Sequence, residues 1–255
     1  MDVTIIGCAG SFAGPESPAS CYLVQAEHEG RTWSIVLDLG SGALGPLQRH
    51  LSPYAVDAVL LSHLHVDHCI DMCGLYVMMK YVPGGPGRGP VPTWGPPGAG
   101  SHLARAYGRV DSEDLLGVFA FSDLRDRESF RVGPFEITPF RVRHPVEAFG
   151  FRVEAHGRVL AYTGDTDECD ALSGLMTGAD LVLADSAFVD GRDTVTGIHL
   201  SGSRAAAAAV RAGGVERLML THMPVWNDPE VCRAQAAAVW PGEVEIAQPG
   251  ATYTV

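Results

Sequence analysis

The sequence has few basic residues and no long hydrophobic run. Lysine and arginine number 18 against 30 aspartates and glutamates, which gives a formal net charge of −12 over 255 residues. A protein that holds nucleic acid through the phosphate backbone needs clustered positive charge, so this balance argues against a large nucleic acid as a partner. A helix that spans a bilayer needs roughly 18 consecutive apolar residues, and even the run Val77–Val82 is interrupted by Lys80. No membrane partner is expected either.

Cysteine is also sparse, and the N-terminus shows none of the features of a secretion signal. The chain begins MDVTIIGCAGS, which enters a strand directly, without a basic segment followed by a long apolar one. Single cysteines in a chain of this size are typical of reduced intracellular thiols rather than of a disulfide framework. The six are Cys8, Cys21, Cys69, Cys73, Cys169 and Cys232. These features predict a cytoplasmic location.

Apolar material, by contrast, is ample. Hydrophobic residues make up 46% of the chain and charged residues 19%, and the mean hydropathy is +0.10. A composition of this kind excludes global disorder. The length suits one large hydrophobic core better than two, so we predict a single domain over residues 1–255.

Short apolar runs rich in β-branched residues alternate with Gly/Pro turns and with helical patterns. Strands are predicted at Val3–Cys8, Cys21–Ala26, Trp33–Leu39, Ala58–Ser62, Val91–Trp94, Phe135–Val142, Phe149–Ala155, Val159–Thr163, Leu181–Ala184, Leu218–Thr221, Val244–Ala247 and Thr252–Val255. Helices are predicted at Gly45–His50, Cys69–Tyr81, Gly100–Tyr107, Ser201–Ala212 and Glu230–Val239. The Pro/Gly-rich stretch Pro83–Gly100 is expected to be an irregular loop around one short strand. This alternation favours one mixed α/β body with two sheets inside and helices outside.

The strongest chemical signal is the run His63-Leu-His65-Val-Asp67-His68, which directly follows a predicted strand. In extended backbone, His63, His65 and Asp67 project to one side, while His68 turns with the chain into the next helix. Imidazole and carboxylate without thiolate suit Zn²⁺ or another borderline divalent ion, with Mn²⁺ and Fe²⁺ as alternatives. The competing interpretation is a surface loop that is rich in histidine by chance.

A second signal is a set of isolated polar residues at predicted strand ends. His144, Asp165 and His222 each stand where a sheet edge meets a loop, the usual place for site residues on an α/β scaffold. Taken singly, Asp165 could cap a turn or a helix, and a lone histidine after a strand is as often structural as functional. Together with the four residues of the first motif they make a set of seven metal donors.

These motifs, taken with the Gly164-Asp165-Thr166 turn and Leu220-Thr-His222, resemble the ordered motif series of the metallo-β-lactamase superfamily and, within it, the ribonuclease Z-like phosphodiesterase branch. The resemblance implies an α/β fold, a four-layer αββα sandwich in which helices cover two mixed β-sheets, with two divalent metal ions at the sheet edge. It also implies that one ion is held by His63, His65 and His144, the other by Asp67, His68 and His222, and that Asp165 bridges them.

Five further segments narrow the resemblance to one subgroup of this branch. They are Gly10-Ser11, Pro15-Glu-Ser-Pro-Ala-Ser20, Leu44-Gly-Pro-Leu-Gln-Arg-His50, His144-Pro-Val-Glu-Ala-Phe-Gly150 and His199-Leu-Ser-Gly202. They resemble an actinobacterial subgroup related to atypical class II cyclic-nucleotide phosphodiesterases, which implies hydrolysis of 3′,5′-cyclic AMP to 5′-AMP. Dimerisation is an expectation from the same resemblance.

The expected chemistry is attack of a hydroxide on phosphorus with loss of the ribose 3′-oxygen. Two divalent ions (+4), two ligand carboxylates (−2) and one hydroxide (−1) leave about +1 in the site, which attracts a small anion despite the overall charge. We predict Asp67, His199 and Asp185 as catalytic residues. His199 resembles an additional histidine of the branch and would donate to the leaving oxygen, although it could instead pack at a helix entry. Asp185 would orient His199, at a position where the branch usually has Glu.

Two serines and two other substrate classes complete the expectations. Ser11 and Ser17 are candidate phosphate contacts through hydroxyl and backbone N–H groups. A ribonuclease Z-type tRNA 3′ endonuclease would need a positive inserted arm, and the segment Pro83–Gly100 has only Arg88 as a charge. Lactones, thioesters and other esters remain alternative substrates, and a metal-bearing regulatory protein is the non-enzyme alternative.

Overall fold

The structure is a computed structural model that describes residues 1–85, 87–110, 115 and 117–255. Its named strands form two seven-stranded mixed sheets. The first has the order β14-β1-β2-β3-β4-β5-β6 and comprises β1 (Asp2–Gly7), β2 (Cys21–His28), β3 (Arg31–Leu37), β4 (Ala58–Leu60), β5 (Val91–Gly95), β6 (Phe119–Asp123) and β14 (Thr252–Thr254). The second has the order β13-β12-β11-β10-β9-β8-β7 and comprises β7 (Phe130–Val132), β8 (Phe135–Arg141), β9 (Phe149–Ala155), β10 (Arg158–Tyr162), β11 (Leu181–Asp185), β12 (Arg217–Thr221) and β13 (Val244–Ile246).

Helices cover the outer face of each sheet. Those of the first sheet are α1 (Leu44–Leu47), α2 (Val66–Cys69), α3 (Met72–Tyr81) and α4 (Ala99–Ala106), with a short 3-10 helix at Pro53–Ala55. Those of the second are α5 (Ala171–Met176), α6 (Gly202–Ala212) and α7 (Pro229–Ala237). Two are capped by side chains, since the Ser201 hydroxyl accepts from the Arg204 N–H and the Asp228 carboxylate accepts from the Glu230 N–H.

Side-chain alternation along the strands builds three apolar layers. In β2, Tyr22 and Val24 face the core between the two sheets, whereas Leu23 faces the helices of the first sheet. The central core receives Phe135 and Phe151 from the second sheet, whose other face packs on α5, α6 and α7. The predicted four-layer αββα arrangement with two mixed sheets is therefore confirmed.

Two buried hydrogen bonds tie the sheets together. The hydroxyl oxygens of Tyr22 and Thr221 lie 2.6 Å apart, joining β2 to the end of β12. The Tyr162 hydroxyl donates to Asp38 Oδ2 at 2.7 Å, joining the end of β10 to the turn after β3. Both links lie near the edge at which the predicted site residues leave their strands, so they fix one sheet edge against the other.

Several predicted elements need correction. The predicted helix Cys69–Tyr81 is instead α2 and α3, because the intervening residue Asp71 bonds outside the helix: its N–H donates to Leu39 O at 3.1 Å and its carboxylate accepts from Leu44 N at 2.8 Å. The strands β6 and β7 and the six-residue helix α5 were not predicted. Within the described residues, no helix has the length and apolarity needed to span a membrane.

Candidate functional site

The seven predicted donors meet at one edge of the two sheets. His63, His65, Asp67 and His68 come from the loop and short helix that follow β4. The other three come from the second sheet: His144 follows β8, Asp165 follows β10 and His222 follows β12. Residues up to 159 positions apart in the chain, His63 and His222, thus supply one cluster.

The first group of donors consists of three imidazoles. His63 Nε2 lies 3.0 Å from His65 Nδ1, and His144 Nε2 lies 3.2 Å from the same His65 atom. His144 Nδ1 donates to the Ile198 carbonyl at 2.9 Å, which leaves Nε2 with its lone pair toward the group. The donor atoms of His63, His65 and His144 are close enough to hold one metal ion.

The second group combines two imidazoles with two carboxylates. His222 Nε2 lies 3.2 Å from both Asp67 Oδ2 and His68 Nε2. Asp165 Oδ1 lies 3.2 Å from His68 Nε2 and 3.4 Å from His222 Nε2. These four residues are all buried and could hold a second metal ion.

Asp165 stands between the two groups. Its Oδ2 is 3.7 Å from His63 Nε2, while its Oδ1 faces the second group. Within the described residues, Oδ1 is buried without a hydrogen-bond partner. A buried carboxylate oxygen without a hydrogen bond is costly unless another positive group meets it, so this atom marks a position suited to a cation.

Asp38 supports the first motif from behind. Its fully buried carboxylate accepts from Ser62 N at 2.6 Å, Ser62 Oγ at 2.7 Å and the Tyr162 hydroxyl at 2.7 Å. It also lies 2.8 Å from His68 Nδ1, which directs His68 Nε2 to the cluster. These contacts hold the start of the first motif and the ring of His68 in place.

His199 and Asp185 form a pair beside the second group. His199 Nδ1 donates to Asp185 Oδ2 at 2.9 Å, so its Nε2 is the free ring nitrogen. Asp185 is fully buried and also accepts from Thr166 N at 3.0 Å and Ala187 N at 3.1 Å, which fixes its orientation. Its Oδ1 lies 3.5 Å from His222 Nδ1, so the pair is coupled to the cluster.

The charges in the cluster keep its carboxylates ionised. Burial would raise the pKa of Asp165, but His222 and His68 outweigh it and hold that pKa well below its usual range. Burial likewise opposes ionisation of Asp67, whose pKa is lowered by hydrogen bonds from His222 and His68. Burial favours the neutral imidazole of His222, yet the Asp165 charge raises its pKa to about 10. Two ionised carboxylates therefore demand positive charge at this edge.

The pKa values of the other histidines of the site are shifted in two different directions. Burial lowers the pKa of His63 well below its ordinary value, and it also lowers the pKa values of His65 and His144. Burial also opposes protonation of His199, but Asp185 raises its pKa above the ordinary value. The first three histidines thus present the neutral form that binds metal, whereas His199 is the better proton donor.

A cleft of about 490 Å³ opens onto the cluster. Its lining includes the donors His65, Asp67, His144 and Asp165, together with His199 and Ser11. Ser17 does not reach it: the Ser17 hydroxyl accepts from Cys8 N at 2.9 Å and donates to the Pro18 carbonyl at 2.8 Å, and the residue lines a separate cavity.

Three further residues near the site were not singled out from the sequence. His102, on α4, lines the cleft. Buried Asp167 accepts from Gly197 N and from Arg204, both at 2.5 Å, and so holds the loop that carries His199. Asp167 lies in the Gly164-Asp-Thr-Asp167 run, and that second aspartate was the available signal. His102 and Arg204 had none, because no local pattern surrounds either of them.

The comparisons with known proteins fit this geometry. A family model described as Beta-lactamase superfamily domain matches residues 34–223. The chain is 40% identical to the uncharacterized protein Rv1339 of Mycobacterium tuberculosis over 259 residues, 99% of this chain and 92% of that protein. It is 26% identical over 277 residues to ribonuclease Z of Mycobacterium bovis, covering 96% and 95% of the two chains.

One relative is also known as a solved structure. The probable metallo-hydrolase YhfI of Bacillus subtilis is 29% identical over 256 residues, 98% of each chain. Its crystal structure, described as a metallo-beta-lactamase fold protein, matches with a TM-score of 0.87 at 27% identity, covering 99% of this chain and 98% of that one. The fold and the relationship to metallo-hydrolases therefore rest on nearly the whole chain.

Proposed function

The chain belongs to the beta-lactamase superfamily, and from that premise we propose that it is a dinuclear metal-dependent phosphodiesterase. Its proposed substrate is a small cyclic nucleotide, first of all 3′,5′-cyclic AMP, and its product the 5′-monophosphate. The observation that carries the proposal is the pair of neighbouring donor groups at an open cleft, with Asp165 in the second group and 3.7 Å from His63 of the first. Two adjacent metal ions suit phosphoryl chemistry because both the attacking and the leaving oxygen carry charge.

The residues fit two divalent ions of the zinc type. His63, His65 and His144 would hold one ion, Asp67, His68 and His222 the other, and Asp165 would contact both. All seven donors are nitrogen or carboxylate oxygen, the set that Zn²⁺ and Mn²⁺ accept. The buried, unbonded Asp165 Oδ1 supports the bridging role. When bound, such ions polarise a water molecule and a phosphoryl oxygen.

The protein side chains supply proton transfer and orientation. Asp185 accepts the Nδ1 proton of His199, so the imidazole is held with Nε2 available to donate to the leaving ribose 3′-oxygen. Asp67 lines the cleft, where its carboxylate would accept a hydrogen bond from the attacking water. Ser11 lines the same cleft and would contact the phosphate.

Substrate size and charge favour a small phosphodiester over tRNA. The similarity to ribonuclease Z supports the phosphodiester bond as the reactive group. Yet none of the described residues that line the cleft is lysine or arginine, and the chain carries a net charge of −12. A long polyanion would meet no compensating charge here beyond the metal ions.

Esters and lactones are the second candidate class, and one observation favours them. Four apolar residues line the cleft, namely Leu64, Val66, Pro145 and Ile198. Such walls would accept the apolar part of a neutral acyl substrate. The same metal centre would then act on a carbonyl instead of phosphorus.

A product assay on purified, metal-loaded protein tests the proposal. The panel comprises cyclic AMP, other cyclic nucleotides, a linear dinucleotide and a lactone, each with metal analysis of the protein used. We expect about two metal equivalents per chain, conversion of cyclic AMP to 5′-AMP, and loss of this activity in His65→Ala. The control is His50→Ala, an exposed histidine outside the cluster. Lactone hydrolysis without phosphodiester hydrolysis would refute the phosphodiesterase and favour the second class.

A further inference from the structure

Two exposed aromatic side chains, Phe12 and Trp226, meet on the loops that carry Ser11 and follow His222. Trp226 is 61% exposed and Phe12 is 39% exposed. Their ring centroids lie 5.0 Å apart at an interplanar angle of 49°. Neighbouring Val225 is 50% exposed, so the three residues form one apolar patch. A patch of this kind beside a site marks a surface that is covered when the protein works.

The backbone fixes this aromatic pair to the metal-site edge. Gly10 N donates to Met223 O at 3.1 Å, which joins the loop that carries Phe12 to the turn after His222. Ser11 lines the cleft, and its N–H lies 3.4 Å from His222 Nε2. Because consecutive Cα atoms are about 3.8 Å apart, the backbone of Phe12 is one step from a cleft residue.

The turn that carries Trp226 is also held in place. Asn227 N donates to Pro224 O at 2.8 Å, and Asn227 Nδ2 donates to Ala187 O at 2.8 Å. On the other side, Gly10 has no room for a side chain, since a Cβ there would lie 2.3 Å from His222 O. The two loops therefore present the aromatic pair from a fixed backbone, as a recognition surface requires.

We propose that Phe12 and Trp226 form a stacking platform for the nucleobase of the substrate, with a purine as its occupant. The inference rests on the proposed function. With the phosphate at the metal cluster, the base would extend from it toward Phe12, which directly follows the cleft residue Ser11. The two rings offer the flat face of the base a stacking contact. Stacking accepts any base with a π-face and favours the larger ring system.

Tryptophan fluorescence tests the platform independently of turnover. Metal-loaded protein is titrated with 5′-AMP and, separately, with ribose 5-phosphate, which has the phosphate and sugar but no base. We expect 5′-AMP to quench the emission and ribose 5-phosphate to leave it unchanged. In Trp226→Phe the quenching disappears while 5′-AMP still binds, because phenylalanine keeps a stacking face. In Trp226→Ala the Kd for 5′-AMP rises about tenfold, and the Kd for ribose 5-phosphate stays the same.

Steady-state kinetics separate this inference from the proposed function. For cyclic AMP, Trp226→Ala is expected to raise KM about tenfold with kcat within about twofold, and Trp226→Phe to restore KM. Tyr81→Ala is the matched control, an equally exposed aromatic residue at the end of α3. If the unmodified protein fails to hydrolyse cyclic AMP, the proposed function is wrong. Should it hydrolyse cyclic AMP while Trp226→Ala keeps its KM, the platform alone is wrong.

One rival occupant gives a different result. A second copy of the chain could cover the same apolar patch, in which case Trp226→Ala would convert a dimer to a monomer and leave both Kd values unchanged. Sedimentation of the two Trp226 variants, run beside the titrations, detects this outcome. It would overturn the platform and assign the patch to self-association.

Discussion

The two sheets share one pattern of strand pairing but carry their site residues differently. Counted from β14 in the first sheet and from β7 in the second, three antiparallel pairings are followed by three parallel ones. The strands β3, β4 and β5 therefore correspond to β10, β11 and β12. After β4, the first sheet presents four donors within His63–His68. The second sheet presents them singly, with Asp165 after β10 and His222 after β12. The same scaffold thus supports one local motif and one assembly of isolated residues.

The turns after β3 and β10 occupy corresponding positions and show why the two sheets carry their site residues differently. Beyond β3, Asp38 N donates to Leu60 O on β4, and beyond β10, Thr163 N donates to Leu183 O on β11. The backbone hydrogen bond is therefore the same in both sheets, but the side chains diverge. Asp38 supports His68 from behind, whereas Asp165, two residues past Thr163, enters the cluster. The cluster is complete only when the two sheets pack together.

Replacing Asp165, which lies between the two donor groups, should break the site most severely. We expect Asp165→Ala to lower phosphodiesterase activity by more than about 100-fold, because loss of a direct donor exceeds the 10- to 100-fold effect of groups that only orient donors. Bound metal should fall from about two equivalents to one or fewer. Metal analysis and initial rates measure both, with Asp170→Ala, an exposed neighbour, as control. Full metal content in Asp165→Ala would contradict the bridging role.

Asp38→Asn tests the support that Asp38 gives to the first motif. An amide cannot accept all the hydrogen bonds that Asp38 accepts from Ser62 and Tyr162 while facing His68. We expect the free energy of unfolding to fall by about 2–4 kcal/mol, as for a buried charged hydrogen-bond network left unsatisfied. Urea denaturation of the metal-loaded protein measures this. An unchanged midpoint would show that the turn tolerates the loss and that Asp38 is not a support.

The site residues of the first sheet, His63–His68, were largely predictable from the sequence. The motif from His63 to His68 is contiguous, but the predicted extended backbone ends at His65, because Asp67 and His68 lie in α2. Most strands were also predicted, because buried parallel strands are short apolar runs. The edge strands β6 and β7 were missed, since half of their residues face solvent and their runs are weak. The break at Asp71 was missed because it depends on hydrogen bonds to a distant loop.

The site residues of the second sheet were predictable only in outline. Nothing local distinguishes His144 or His222 from a structural histidine, and their selection depended on their positions at predicted strand ends together with the family resemblance. Ser17 shows the limit of such reasoning, because its hydroxyl bonds within its own loop rather than facing the cleft. Asp167 illustrates the converse: its partners, Gly197 and Arg204, become neighbours only after the sheet and its helices are assembled.

Gly40→Ala should loosen the loop of the first motif without replacing a donor side chain. A Cβ at Gly40 would lie 1.9 Å from Asp67 O, so the loop that carries the motif would have to move. We expect a loss of about 1–3 kcal/mol in stability, typical of overpacking. Gly45→Ala is the matched control, because a Cβ there meets nothing within 4 Å and the residue lies in α1. Thermal unfolding of both variants makes the comparison, and equal midpoints would show that Gly40 is not constrained.

Asp185→Asn should affect only proton donation by His199. We expect it to have the smallest effect of the four substitutions. The amide oxygen can still accept from His199 Nδ1, but it lacks the negative charge that stabilises the protonated imidazole. We expect kcat for cyclic AMP to fall about tenfold with two metal ions still bound. The control is Asp193→Asn, on the same loop but paired with Arg192. A substrate with a p-nitrophenolate leaving group needs little protonation, so its hydrolysis should be nearly unaffected by Asp185→Asn. An equal loss for both substrates would instead indicate that Asp185 acts on the metal cluster through His222, 3.5 Å away. Proton donation and metal binding would then depend on the same carboxylate.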